Sequence, residues 1–183
     1  MNMPFNTDIE LWASFKKGDD KAFELIYRHN FDKLYFYGLK FTSNHVWVED
    51  AIQELFSELL NKRKHIGDTD NILFYLLASF KRKLLRKIQG EQRFDYDESM
   101  ENIGFDVVWS VEQEIILREI SEQKSKMLLQ ALNELTPRQK EAIYLRFTGE
   151  LDYKEVAGLM DISVEACRNL ISRAISILRK KIK

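Results

Sequence analysis

Cysteine is nearly missing from this 183-residue chain: Cys167 is the only one, which excludes an internal disulfide framework and a cysteine-based zinc site. Proline occurs twice, at Pro4 and Pro137, and glycine seven times. So few chain breakers disfavour a turn-rich β architecture and leave room for long helices. No apolar stretch approaches the roughly 20 residues that span a bilayer, and Met1 to Asp8 lacks the basic region and apolar run of a signal peptide. A cytoplasmic protein without membrane contact is expected. The three histidines, His29, His45 and His65, have no metal-ligand spacing and no HExxH arrangement. Glycine-rich phosphate loops and a GxSxG elbow are also missing. Cys167 falls on the apolar side of a helical pattern, where a small core residue is expected rather than a nucleophile. No catalysis, metal or cofactor is therefore expected.

What is present is apolar residues at 45 % and charged residues at 31 %, enough for a core under a solvated surface. The net charge of −1 conceals a division along the chain. Residues 1–93 hold 15 basic and 13 acidic side chains, residues 94–122 one basic and nine acidic, and residues 123–183 twelve basic and seven acidic. Two mildly basic blocks thus flank an acidic segment, whose self-repulsion favours an extended or loose state. The expected organisation is a domain at 1–93, an acidic linker at 94–122 and a second domain at 123–183.

Hydrophobic periodicity is helical throughout. Thr7-Asp8 opens a first helix that Gly18 stops. A second starts at Asp19-Asp20 and runs through Phe41 to the breaker Thr42-Ser43-Asn44. A third covers about His45 to Arg63, with Val48, Ala51, Ile52, Leu55, Phe56, Leu59 and Leu60 on one stripe. After the polar stretch Lys64 to Asn71 comes a fourth, about Ile72 to Gln89, apolar first and basic later. A further helix is expected from near Glu112 to Asn133. No period-two run and no repeat of 20–50 residues is visible, so the fold class is all-α, in two small helical domains.

The last 48 residues say most about function. Thr136-Pro137 opens the helix PRQKEAIYLRFTGE. In YKEVAGLMDISVEACRNLISRA, small Ala157 permits a close helix crossing, Asp161-Ile162-Ser163 make a tight corner, and Ser163 caps the next helix. This is the sequence shape of a helix-turn-helix. On the final helix Val164, Cys167, Ile171, Ala174 and Leu178 share one face. Arg168, Asn169, Ser172, Arg173, Ser176, Arg179 and Lys180 occupy the other, with side chains suited to phosphates and base edges.

The segment from Ala131 to Ile182 resembles region 4 of the sigma-70 family, especially its small extracytoplasmic-function branch. Residues 1–93 look like region 2 of the same family, with Glu49 to Phe56 (EDAIQELF) similar to the polymerase clamp-binding helix and Asn71 to Gln89 to the promoter-melting helix. The resemblance implies a transcription initiation factor that binds core RNA polymerase and promoter DNA. Asp50, Gln53, Glu54 and Phe56 would then meet the β′ clamp coiled-coil. Lys81, Arg82, Lys83, Arg86 and Lys87, with Phe74 and Tyr75, would handle the melted −10 element, for which basic residues beside aromatic faces are the usual means. Five cations in seven residues should repel one another unless a polyanion is near. Phe74 and Phe80 have a plain alternative as core residues. In region 4, Arg168, Asn169, Ser172, Arg173 and Arg179 would face −35 DNA, and the domain would touch the β flap.

The chain also departs from the family pattern. Leu170, Ile175 and Ile177 stand where basic residues are usual, widening the apolar arc of the last helix beyond a one-sided stripe. Such an excess suits a protein partner, either an anti-sigma factor or a recruiting protein. In the melting helix Arg82 and Arg86 replace an asparagine and an acid. The alternative reading is a helix-turn-helix repressor that does not bind polymerase; it accounts for 136–183 but not for the basic helix at 81–87.

Overall fold

Capping chemistry starts the first helices where the sequence indicates. Helix α1, Asp8–Lys17, is opened by Thr7, whose side chain accepts from the Glu10 amide, and is closed by Gly18 at φ 100°, a left-handed conformation that glycine adopts without a Cβ penalty. Asp19 then opens α2, Asp20–Gly38, by accepting from the amides of Lys21 and Ala22. Asn44 caps α3, His45–Lys62, at Trp47. Helix α4, Ile72–Gln92, has two of its first donors satisfied: Asn71 Oδ1 accepts from Phe74 and Asp8 Oδ2 from Ile72. The second bond crosses 64 residues and ties the starts of α1 and α4 together.

This computed structural model describes residues 5–92, 104–106, 127 and 130–181. All regular elements among them are helical, and no helix among them is long and apolar enough to cross a membrane. The chain divides into two compact units, Met1–Ile103 and Gly104–Lys183.

In the first unit α3 packs on α4 and both pack on α2, with α1 against α2. Trp12, Phe15, Ile26, Leu34, Tyr37, Ile52, Leu76, Phe80 and Leu84 are fully enclosed. Trp12 Nε1 donates to the Gly67 carbonyl at 2.9 Å, so the α3–α4 loop is held by α1. Helix α2 ends three residues earlier than its periodicity suggests. Lys40 and Phe41 donate to carbonyls three residues back, because the final turn tightens where i→i−4 partners run out. Gly38 lies at the crossing: a Cβ there would stand 2.8 Å from Phe80 Cζ and 2.8 Å from Val48 Cγ1, so three helices meet where only a hydrogen fits.

In the second unit residues 130–133 are helical, followed by α5, Pro137–Ile143, with a full capping box between Thr136 and Gln139. Most of the helix expected at 112–133 lies outside the described residues. The expected helix from Pro137 to Gly149 changes register midway: Tyr144–Thr148 is a π-helical turn. Helix α6, Tyr153–Met160, opens with a second capping box, Asp152 with Glu155, and closes on Asp161 in the left-handed region at φ 53°, which aspartate tolerates better than most residues. Ser163 Oγ accepts from Ala166 and starts α7, Val164–Lys181. Leu132, Leu135 and Ala174 form a core to which Ile143, Ile177 and Leu178 add.

Replacing Gly38 with alanine is expected to lower the unfolding free energy by about 1–3 kcal/mol, the usual cost of overpacking. Gly67→Ala, with no atom within 4 Å of the new Cβ, should change it far less. Denaturant unfolding of the two variants checks the comparison; equal effects would mean that the three-helix crossing yields freely.

Candidate nucleic-acid interface

Helix α4 is two-sided. Leu76, Leu77, Phe80, Leu84, Leu85 and Ile88 are buried, which forces the interleaved cations toward the rims and outer face. The five do not share one environment. Lys83 meets Glu58 of α3 at 2.5 Å. Lys87 meets Asp50 at 2.9 Å and Glu54 at 3.7 Å. Lys81 lies 5.8 Å from the Phe41 ring centroid. Arg82 and Arg86 are exposed. The expected mutual repulsion of this run is thus corrected: α3 supplies carboxylates one helical turn apart that answer Lys83 and Lys87, leaving the two arginines as the outward cations. Glu58 takes an ammonium on each oxygen, from Lys62 and Lys83, and the Lys62 bond foremost, then Lys83, holds its carboxyl down to about 2. Lys87 is raised, chiefly by its bond to Asp50.

Between α3 and α4 lies a cavity of about 360 Å3 whose lining includes Tyr75, Ser79, Arg82, Arg86 and Ile66. Tyr75 is half-buried and edge-on to Trp12 at 4.9 Å; burial foremost pushes its phenol up. Phe74 is also half-buried, while Phe80 is core at 0 % exposure. On α3, Gln53 and Glu54 are exposed and Asp50 is half-buried. Phe56 is different: at 3 % exposure it packs on Tyr27 and Phe23 of α2. A direct contact of Phe56 with a partner is therefore corrected to a core role, since its ring already fills the α2–α3 seam.

In the second unit, Cys167, Ile171 and Ala174 of α7 are buried; burial pushes the Cys167 thiol up. Arg168, Asn169, Ser172, Arg173 and Arg179 are all exposed. An open groove of about 510 Å3 runs along this face, with Ile171 and Ile175 apolar and Arg168, Ser172, Arg179 and Lys180 polar. Of the three extra apolar residues, Ile177 is taken up by packing on the Leu132–Leu135 core, Ile175 lines the groove and Leu170 is half-buried. Sequence reasoning passed over Tyr153, whose ring has Arg146 at 5.2 Å and Arg168 at 5.7 Å. These three come from separate elements, so no local spacing signalled them. It also passed over Phe105. That ring is 2 % exposed and stands 5.8 Å from Tyr144, while Asp106 pairs with Lys140 at 3.1 Å. The acidic stretch was expected to be loose, yet residues 104–106 are docked on the second unit, because an aromatic side chain finds a socket there. Burial pushes the Tyr144 phenol up to about 12.

The sequence profile of the family described as Sigma-70, region 4 matches residues 125–178, a span that contains the corner and α7 as far as Leu178. That stretch is similar to sigma-70 region 4. Among solved structures, it resembles CnrH, solved in complex with the cytosolic domain of CnrY, at 18 % identity and a TM-score of 0.60, over 94 % of this chain and 95 % of that one. It also resembles the sigma factor RpoE, solved in complex with the anti-sigma factor NepR from Bartonella quintana, at 18 % identity and a TM-score of 0.59, over 88 % and 97 %. At that identity the likeness establishes the fold. None of the curated proteins matches significantly. The groove along α7 and the outer face of α4 are the two cationic surfaces of the chain described above.

The depressed Glu58 carboxyl has a definite sign. A group whose folded value lies below its ordinary 4.5 adds stability above that value, and the contribution is lost as pH falls toward about 2. Glu58→Gln should therefore flatten the acid limb of stability between these limits, read as unfolding midpoints across pH. An unchanged limb would show that the paired lysines do not act on Glu58 in solution.

Proposed function

We propose that this protein is a transcription initiation factor of the extracytoplasmic-function type, which binds core RNA polymerase and directs it to promoter DNA. The observation that carries the reading is the match of residues 125–178 to region 4 on a chain whose other unit presents a second cationic helix. In this reading residues 1–93 are a region 2 domain for clamp binding and −10 melting, 94–122 an acidic linker, and 123–183 the region 4 domain. The protein acts in the cytoplasm, by binding alone, and catalyses no reaction. Asp50, Gln53 and Glu54 of α3 face the β′ clamp coiled-coil, with Phe56 setting the helix from behind. Opening a duplex must offset stacking of about 1.4 kcal/mol per step. Arg82 and Arg86, aided by Lys81, Lys83 and Lys87, draw the separated strand toward α4, where Phe74 and Tyr75 offer partly exposed ring faces. In region 4, Arg168, Asn169, Ser172, Arg173 and Arg179 engage −35 DNA, and the β flap is the polymerase contact. The half-exposed apolar residues Leu170 and Ile175 favour an added protein partner, an anti-sigma factor or a recruiting protein; an anti-sigma factor is named in the complex of the similar RpoE.

The ion pairs between α3 and α4 shape the test. Arg82→Ala with Arg86→Ala removes charge without disturbing Asp50 or Glu54. That pair should retain binding to core polymerase and lower open-complex formation by roughly tenfold or more. Asp50→Lys with Glu54→Lys should weaken polymerase binding first, by roughly tenfold. Polymerase pull-down and permanganate footprinting of the same preparations give both readouts. A native chain that fails to bind core polymerase would leave a helix-turn-helix repressor as the better account.

A further inference from the structure

The five residues of α7 assigned to DNA do not all stand in the same relation to it. Arg168 is set apart by its stacking on Tyr153 at 5.7 Å, the first residue of α6. Tyr153 is itself held. Arg146 covers its ring at 5.2 Å, reaches the Phe147 ring at 6.0 Å, and donates from Nη1 to the Leu151 carbonyl at 3.1 Å, which pins that guanidinium to the backbone just ahead of α6. Neither Arg146 nor Arg168 has a carboxylate partner among the described residues. Two cations are thus gathered on one aromatic ring without a neutralising acid, an arrangement that an anion completes.

We propose that Tyr153 is a positioning residue, locked by Arg146, which holds Arg168 against a DNA backbone phosphate and so removes Arg168 from base reading. The direction follows from the corner geometry. In a helix-turn-helix the first helix crosses the sugar–phosphate backbone and the second enters the major groove. A guanidinium stacked on the opening residue of the first helix is tethered toward the backbone strand. Asn169, Ser172 and Arg173, with no such tether, keep the freedom to meet base edges. Discrimination among −35 sequences then rests on those three residues, and Arg168 contributes affinity that is indifferent to sequence. This assignment rests on the DNA-binding reading of region 4 and goes further by dividing its residues into two roles.

The test uses the full-length chain alone, by fluorescence anisotropy on two labelled duplexes of unrelated sequence, each titrated with salt from a low starting concentration. A phosphate contact adds about 0.9 to the slope of log K against log salt. Arg168→Gln is expected to reduce the slope by about that amount on both duplexes alike. Tyr153→Leu should cause most of the same loss and weaken binding about threefold, in keeping with an exposed cation–π contact. Tyr153→Phe, which keeps the ring, should restore it. The double variant Tyr153→Leu/Arg168→Gln should be no weaker than Arg168→Gln, since both changes remove one interaction. Should Tyr153→Leu unfold by circular dichroism, Arg146→Gln supplies the same readout by unlocking the ring. The proposal is overturned by a native slope in Tyr153→Leu or Arg146→Gln, by full additivity in the double variant, by a loss confined to one duplex, or by no duplex binding of the native chain at low salt. Polymerase is not in the assay, so a negative result here leaves the initiation-factor reading to its own polymerase-binding test.

Discussion

The apolar seam between α3 and α4 governs the first unit. Burying one large aliphatic or aromatic side chain is worth about 1.5–3 kcal/mol, and α4 alone buries six between Leu76 and Ile88. An ion pair at a solvated surface contributes about 0–1 kcal/mol. The seam therefore decides how α4 is rotated, and the cations go where the rotation leaves them. Lys83 and Lys87 are carried to the α3 side, within reach of Glu58, Asp50 and Glu54. Arg82 and Arg86 are carried outward. Charge divides the labour of this helix only after hydrophobic burial has fixed its orientation.

That order links two surfaces that a sequence reading treats as separate. The acidic edge of α3 and the basic run of α4 are partly one another's counterions. A partner that competes for Asp50 or Glu54 changes the surroundings of Lys87 as well, so the acidic edge and the basic run are energetically connected. No moving part is needed for the link: two helices share three carboxylates.

The second unit relies on caps and corners more than on length. Helix α6 has eight residues, too few to be stable alone, and is held by the Asp152–Glu155 capping box, by Asp161 at its end and by α7 packed across it. Arg138 adds a bond to the Met160 carbonyl. With both ends satisfied, the polar face of α7 is presented at a set angle. The groove beside it is built on Ile171, whose buried side chain serves as its floor.

The amino-acid order alone determined the helices, their caps and the corner between α6 and α7. All are read from nearest neighbours: Thr7 three residues before Glu10, Asp152 before Glu155, Ser163 before Ala166. It also determined which face of α7 is apolar, because a 3.6-residue period is a local property. Tertiary structure decided what depends on distance across the fold. The pairing of Lys87 with Asp50 spans 37 residues, and the Tyr153 stack joins three elements. The burial of Phe56 under α2 and the docking of Phe105 on the second unit likewise have no local sign. Periodicity states that a side chain is on a face; only the packed structure states what that face meets. For the same reason the π turn at Tyr144–Thr148 escaped the sequence reading, since a one-residue change of register leaves the hydrophobic pattern almost intact while redirecting the chain into Leu151 and the start of α6.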